Sequence, residues 1–235
     1  MAIHGKNGKL YVKGFDMSEY IKTAGLDMTD EVVDTTAWSK DSKEYIAGLK
    51  DATLTAEGVW DDDPTGLDAQ LESIKADEAA FSYYPGLDTA GNPGYAFKAI
   101  RSAYSLSQSI TDAVNFSLGG QTTEGANRVT SIIPLTEFDD NVSSAGFDLT
   151  TGSADGAIVF IHVTGVTDKA DIVIEHSDDD GVGDAYSAWT ALVDTDTVDG
   201  YIIDSDTAIK RWVRVRIANM TALEKITLQA GIKKH

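Results

Sequence analysis

The chain contains no cysteine. Disulfides, thiolate nucleophiles and cysteine-bound zinc are therefore excluded, and stability has to come from burial. No run approaches the ~20 apolar residues of a membrane-spanning helix, and the opening MAIHGKNGKLYVKG lacks the apolar core of a secretory signal. The expectation is synthesis in the cytoplasm without membrane insertion. Positive charge is scarce: 19 Lys and Arg stand against 38 Asp and Glu, for a net −19 and a pI near 4.3. Holding nucleic acid takes clustered Lys and Arg to neutralise phosphate. Ordinary nucleic-acid binding is thus disfavoured, but an acidic wall that lets DNA slide without sticking is compatible. Nucleophile-elbow, phosphate-loop and dinucleotide fingerprints are missing, as is any repeat of fixed period.

What is present is β-pattern. At 235 residues the chain can bury one large β domain or two smaller ones. Lys9 to Lys13 reads as a short strand closed by Gly14, followed by a polar stretch from Asp16 to Ser42 with weak alternation near Val32 and Val33. From Tyr45 to Lys50 comes a short anchor, and then a strand with Ala52, Leu54 and Ala56 on one face and Thr53, Thr55 and Glu57 on the other. Asp63 reads as a helix cap before Pro64, and Leu67, Leu71 and Ile74 recur at helical spacing, predicting one helix over 64–76. Strands are expected at 81–85, 95–105, 114–118 and 129–135, with Gly119-Gly120 as a turn.

Around 138–153 Gly, Ser, Thr and Asp crowd together and apolar residues thin out, which reads as a linker over 139–153. Short strands then follow at 157–163, 170–176, 200–204, 212–217 and 226–233, the spacing of a small antiparallel sandwich. The expected fold is mainly β: a first domain over 1–138 with one flanking helix and a C-terminal sandwich domain over 154–235.

No constellation builds a catalytic or metal site. Asp61 to Asp63 has a structural role at a helix start. Asp178 to Asp184 fails the calcium-loop pattern, since its fifth position is Val182 and its twelfth Trp189. Acidic pairs sit in turn-like contexts, not where a glycosidase needs them. His162 and His176 fall on predicted strands as interior or edge residues. Arg214 and Arg216 share a strand face with Trp212, opposite Val213, Val215 and Ile217. With Trp189 they make a candidate recognition patch for a sugar or a neighbouring subunit. No enzyme activity, cofactor or metal is expected.

The ordered combination of the Gly-Lys-x-Tyr-Val opening strand, Val33-Asp34-Thr35-Thr36, Tyr-Ile-x-Gly-Leu-Lys-Asp and the helix after Asp63 resembles the major tail tube proteins of long-tailed bacteriophages over roughly residues 5–135. The resemblance implies a virion protein with a β-barrel or sandwich domain that assembles into hexameric rings. These rings stack into a tube, joined by other phage tail proteins, and DNA passes through the lumen without specific binding. It places the contact between rings in the loop before the Tyr-Ile anchor, at Thr29, Asp34, Trp38, Lys40, Lys43 and Glu44. The C-terminal block resembles the extra, often immunoglobulin-like, domain carried outside some of these tubes. A carbohydrate-binding or adhesion module acting through that block is the alternative.

Overall fold

The computed structural model describes residues 5–38, 40–63, 66–75, 77–167, 169–220 and 224–235. In chain order the described elements are β1 (Lys9–Val12), β2 (Phe15–Asp16), β3 (Ile21–Asp34), β4 (Tyr45–Val59), α1 (Leu67–Ser73), β5 (Ala79–Tyr84), β6 (Pro93–Ser107), β7 (Asn115–Thr122), β8 (Asn127–Phe138), β9 (Phe147–Asp148), β10 (Ala157–Val166), β11 (Ala170–Ser177), β12 (Ser187–Thr195), β13 (Asp199–Ser205), β14 (Trp212–Ala218) and β15 (Ile226–Lys234). The protein is mainly β, as the alternation implies, and the strand pairs with a described register are antiparallel.

Two compact units share the chain. One comprises residues 1–18, 80–96 and 127–235, the other 19–79 and 97–126. These lines differ from the expected 1–138 and 154–235. The reason is a ladder: β15 pairs with β8 from Ile226↔Phe138 to Ile232↔Thr130, so the end of the chain is stitched to a strand that precedes residue 138. Residues 139–153 are knitted in as well. Phe147 and Asp148 pair with Val213 and Trp212, and Ser143 and Ser153 bridge to Arg216 and Ile209.

In the first unit β13, β10, β15 and β8 lie side by side, and β12, β11, β14 and β9 form a four-stranded sheet. Val159, Ile161, Leu228 and Ala230 from the first group meet Ile172, Ile174, Val213 and Val215 from the second in one core. The opposite face of β10 is covered too, where Ile158 and Phe160 pack with Tyr11, Tyr84 and Val129. Residues 157–163 are accordingly buried without interruption, which is why AIVFIHV reads as an unbroken apolar run instead of an alternation. Buried between Tyr11 and Ser82, His162 stacks on the Tyr11 ring at 5.6 Å, bonds Ser82 Oγ through Nε2 at 2.8 Å and accepts the Gly14 N–H at Nδ1. Burial lowers its pKa to about 3, so it is a neutral core imidazole. His176 lies on β11 in the other sheet and accepts the Lys210 N–H.

The second unit is a sheet of β3, β4, β7 and the later part of β6, with α1. Ala52, Leu54 and Ala56 are buried, as their period-two spacing implies. Gly119 and Gly120 belong to strand β7 and not to a turn. Gly119 faces the irregularity between Arg101 and Ala103, where a Cβ would come within 2.9 Å of Ser102 Oγ. The helix is shorter than expected, and its N-cap is Gly66, with no side-chain capping bond; Asp63 instead accepts the Gly66 N–H through its backbone carbonyl. Pro64 and Ala76 lie outside the described residues. Leu67, Leu71 and Ile74 are buried at the expected spacing. Arg101 ties down the helix end, donating to Leu71 O at 2.8 Å and to Glu72 Oε2 at 3.1 Å.

Candidate assembly surface

The polar stretch after Asp16 is not a loop: most of it is β3, fourteen residues running antiparallel to the fifteen of β4. The alternation there is weak because almost nothing covers it. β7 pairs with β4 only from Thr53 to Val59. From Tyr45 to Asp51, seven residues of β4 have β3 as their only strand partner among the described residues, giving a two-stranded arm about 20 Å long at the usual rise per residue.

The arm is apolar on both faces. Tyr45, Ala47 and Leu49 alternate with Ile46 and Gly48 along β4, while Val33 sits opposite Ile46 and Val32 opposite Ala47. All of these apolar side chains are exposed, Leu49 by 79%, Val32 by 64% and Ile46 by 56%, with Met28 at the arm's base at 53%. A strand apolar on both faces is the pattern of one buried on both faces. An isolated two-stranded ribbon is at best marginal in water, and a contiguous apolar patch on a protein surface marks an interaction site.

The arm's own architecture is ordered. At the skip in register between Asp30 and Val32, the Glu31 carboxylate reaches across to the Leu49 N–H at 3.4 Å, in space that a side chain at Gly48 would fill. At the tip Asp34 Oδ1 accepts the Thr36 hydroxyl at 2.5 Å and its N–H at 2.9 Å, bonds that hold the Asp34 pKa below the usual range. Thr36 Oγ1 takes the Glu44 N–H, Thr35 N–H donates to Glu44 O, and Lys40 pairs with the Glu44 carboxylate at 2.8 Å. Lys40 N–H donates to Ala37 O, and Trp38 is fully exposed.

The six residues expected to make contact thus divide. Asp34, Lys40 and Glu44 fasten the loop base; Trp38 and Lys43 are exposed; Thr29 lies back on β3 opposite Asp51. The exposed apolar residues Val32, Val33, Tyr45, Ile46 and Leu49 were not among the expected contact residues. Their signal was the non-alternating Tyr-Ile-Ala-Gly-Leu run.

In the other candidate patch Trp212, Arg214 and Arg216 share one face of β14 as expected, and Trp189 stands apart from them. Trp189 packs against the core of the first unit and donates its indole N–H to Thr207 O at 2.9 Å, while Trp212 stands on the opposite face of β14 from Val213 and Val215. Arg214 and Arg216 both clasp Glu175 at 2.7 Å, and Arg214 lies over the Tyr186 ring at 3.9 Å. The carboxylate that engages these arginines is therefore in the same chain. In the 178–184 loop, Asp179 accepts the Gly183 and Asp184 N–H groups and Lys210 bridges Asp178 and Asp184.

No protein-family model matches the chain, and neither does any curated protein. Among solved structures the chain is similar to a component of the virion of a native gene transfer agent particle, at 17% identity over 54% of this chain and 98% of that one, with a TM-score of 0.43. It is similar to the SPP1 tail tube at 14% identity over 56% and 81%, TM-score 0.46. With the SPP1 Dit protein the overlap is 96% of this chain and 99% of that one, at 8% identity and a TM-score of 0.38. All three scores are below 0.5.

Proposed function

We propose that this chain is a structural subunit of the tail tube of a long-tailed bacteriophage, assembling into six-membered rings that stack into a conduit for DNA. The observation that carries the reading is the exposed β3–β4 arm. It is fixed internally by Asp34, Thr36, Glu31 and Glu44, yet apolar on both faces, so it has the build of an element completed by other copies of the same chain. Among the described residues β3 has β4 as its one strand partner, and its outer edge is where a neighbouring strand can pair.

The sheet behind the arm supports the conduit. On the face opposite Leu54 and Ala56, Thr53, Thr55 and Glu57 stand beside Gln121, Gly119 and Ser117. These six residues are small or polar, none is a cation, and one is an acid. A wall of this kind gives phosphate nothing to grip. In this reading that face lines the lumen, the C-terminal sandwich lies outside the tube, and the protein has no enzymatic role.

Negative-stain imaging of the purified protein at rising concentration tests the proposal. Rings or tubes with a hollow centre are expected. A protein that stays monomeric at every concentration overturns it.

A further inference from the structure

In this strongly acidic chain one concavity has more cations than carboxylates in its lining. It lies in the first unit, holds about 390 Å³ and is lined by Arg128 and Thr130 of β8, the end of β15 and Phe147 to Thr150. That volume falls within the roughly 300–1,000 Å³ of small-ligand sites. Arg128, Lys233 and Lys234 supply three cations to the lining against one carboxylate, Asp148.

Register decides which of these charges are available. Ile232 is directly opposite Thr130. Two residues further along each strand, on the same face, come Lys234 and Arg128. Arg128 is exposed and forms no ion pair among the described residues. The Lys234 ammonium is oriented by neutral oxygens only: Leu149 O at 3.1 Å, Thr151 O at 3.0 Å and Thr151 Oγ1 at 2.9 Å. Asp148 is already occupied, in a fork with Arg211 at 2.7 and 2.5 Å. Lys233 turns to Asn127, 2.8 Å away. Arg128 is thus left without a carboxylate partner on this face, beside the Lys234 ammonium, whose three donors are already engaged, and next to the half-buried Phe147.

The geometry points to a binding site for a small sugar or polyol bearing an oxyanion, phosphate or carboxylate. Arg128 takes the oxyanion with the fixed Lys234 charge beside it, Thr130 offers a hydroxyl in the lining, and Phe147 gives the ligand's carbons an apolar wall. The site lies outside the β3–β4 arm and holds whether or not the chain builds a tube.

Calorimetric titration of the full chain with glucose 6-phosphate, glucuronate, glucose and inorganic phosphate tests it. One or both anionic sugars should bind, glucose at least tenfold more weakly, and Arg128→Ala should weaken the anionic sugars at least tenfold without shifting the melting temperature. Glucose 6-phosphate alone binding identifies a phosphate site, glucuronate alone a carboxylate site; either supports the proposal. No binding of either anionic sugar up to about 10 mM, or Arg128→Ala binding like the parent, overturns it. Inorganic phosphate matching glucose 6-phosphate overturns the saccharide part. Should Arg128→Ala fail to fold, NMR shift mapping of the parent chain decides: shifts at Arg128, Thr130 and Lys234 support the site, and shifts confined elsewhere overturn it.

Discussion

Val33 and Ile46 stand directly opposite one another across the β3–β4 ladder, and both side chains are exposed. In a finished sheet such a pair is part of a core. Here it is the end of an arm whose two strands pair with each other and whose side chains are not covered. The functional reading follows from that mismatch between order and burial.

Substitutions on the arm should therefore separate folding from assembly. Leu49→Lys and Trp38→Ala remove exposed apolar groups, so the melting temperature should reflect a change within about 0.5 kcal/mol. Polymer formation, followed by sedimentation, should need at least tenfold more protein, which is about 1.4 kcal/mol per contact. Assembly at the parent concentration would remove the arm from the interface.

Leu54→Ala should behave in the opposite way. Leu54 is on the same strand as Leu49 but fully buried, opposite Leu26 and Gly120. Truncating it leaves a cavity and should cost about 2–5 kcal/mol in denaturant unfolding of the monomer. A loss below about 1 kcal/mol would show that the sheet collapses around the gap.

Glu175→Ala tests the arginine clasp. Glu175 is 6% exposed and holds both Arg214 and Arg216, whose side chains are partly in solvent. Removing the shared acceptor leaves two cations side by side, and roughly 1–3 kcal/mol of unfolding free energy should go with it. Glu175→Gln should recover part of that, since the amide oxygen still accepts.

Acid should weaken the fold through His162. Its folded pKa is lowered to about 3 by burial from an ordinary 6.5, so above pH 6.5 the ring is neutral in both states and costs nothing. As pH falls below 6.5 the unfolded chain takes up a proton that the folded chain refuses until about pH 3. Stability is lost across that window at about 1.4 kcal/mol per pH unit. The stability difference between the parent and His162→Gln should accordingly narrow as pH drops from 6.5 to 4. A constant gap would mean that His162 titrates normally.

Much of the β architecture was legible because burial on one face leaves alternation, as at Ala52, Leu54 and Ala56. The AIVFIHV strand could be found, but not the two cores it separates. The domain boundary could not be read. A linker-like composition at 139–153 is compatible with a true linker and with a segment pinned by β9 and by bridges to Arg216 and Ile209, and no local pattern encodes the long-range β8–β15 ladder. β3 read as polar loop because a strand exposed on both sides has no reason to alternate. For the same reason the contact residues chosen were the loop's polar groups, three of which turn out to hold the loop together. The Tyr-Ile-Ala-Gly-Leu run beside them is the part of the arm whose apolar side chains are exposed.

The most direct measurement is hydrogen–deuterium exchange on the Tyr45–Leu49 segment and on Thr29–Asp34, in dilute monomer and in polymer from the same preparation. The account predicts that these amides exchange readily in the monomer, where the arm opens without disturbing any core, and are strongly protected in the polymer, while the amides of β10 are equally protected in both. Polymer in which the arm exchanges as fast as in the monomer would contradict the claim that the arm is completed by other copies of this chain.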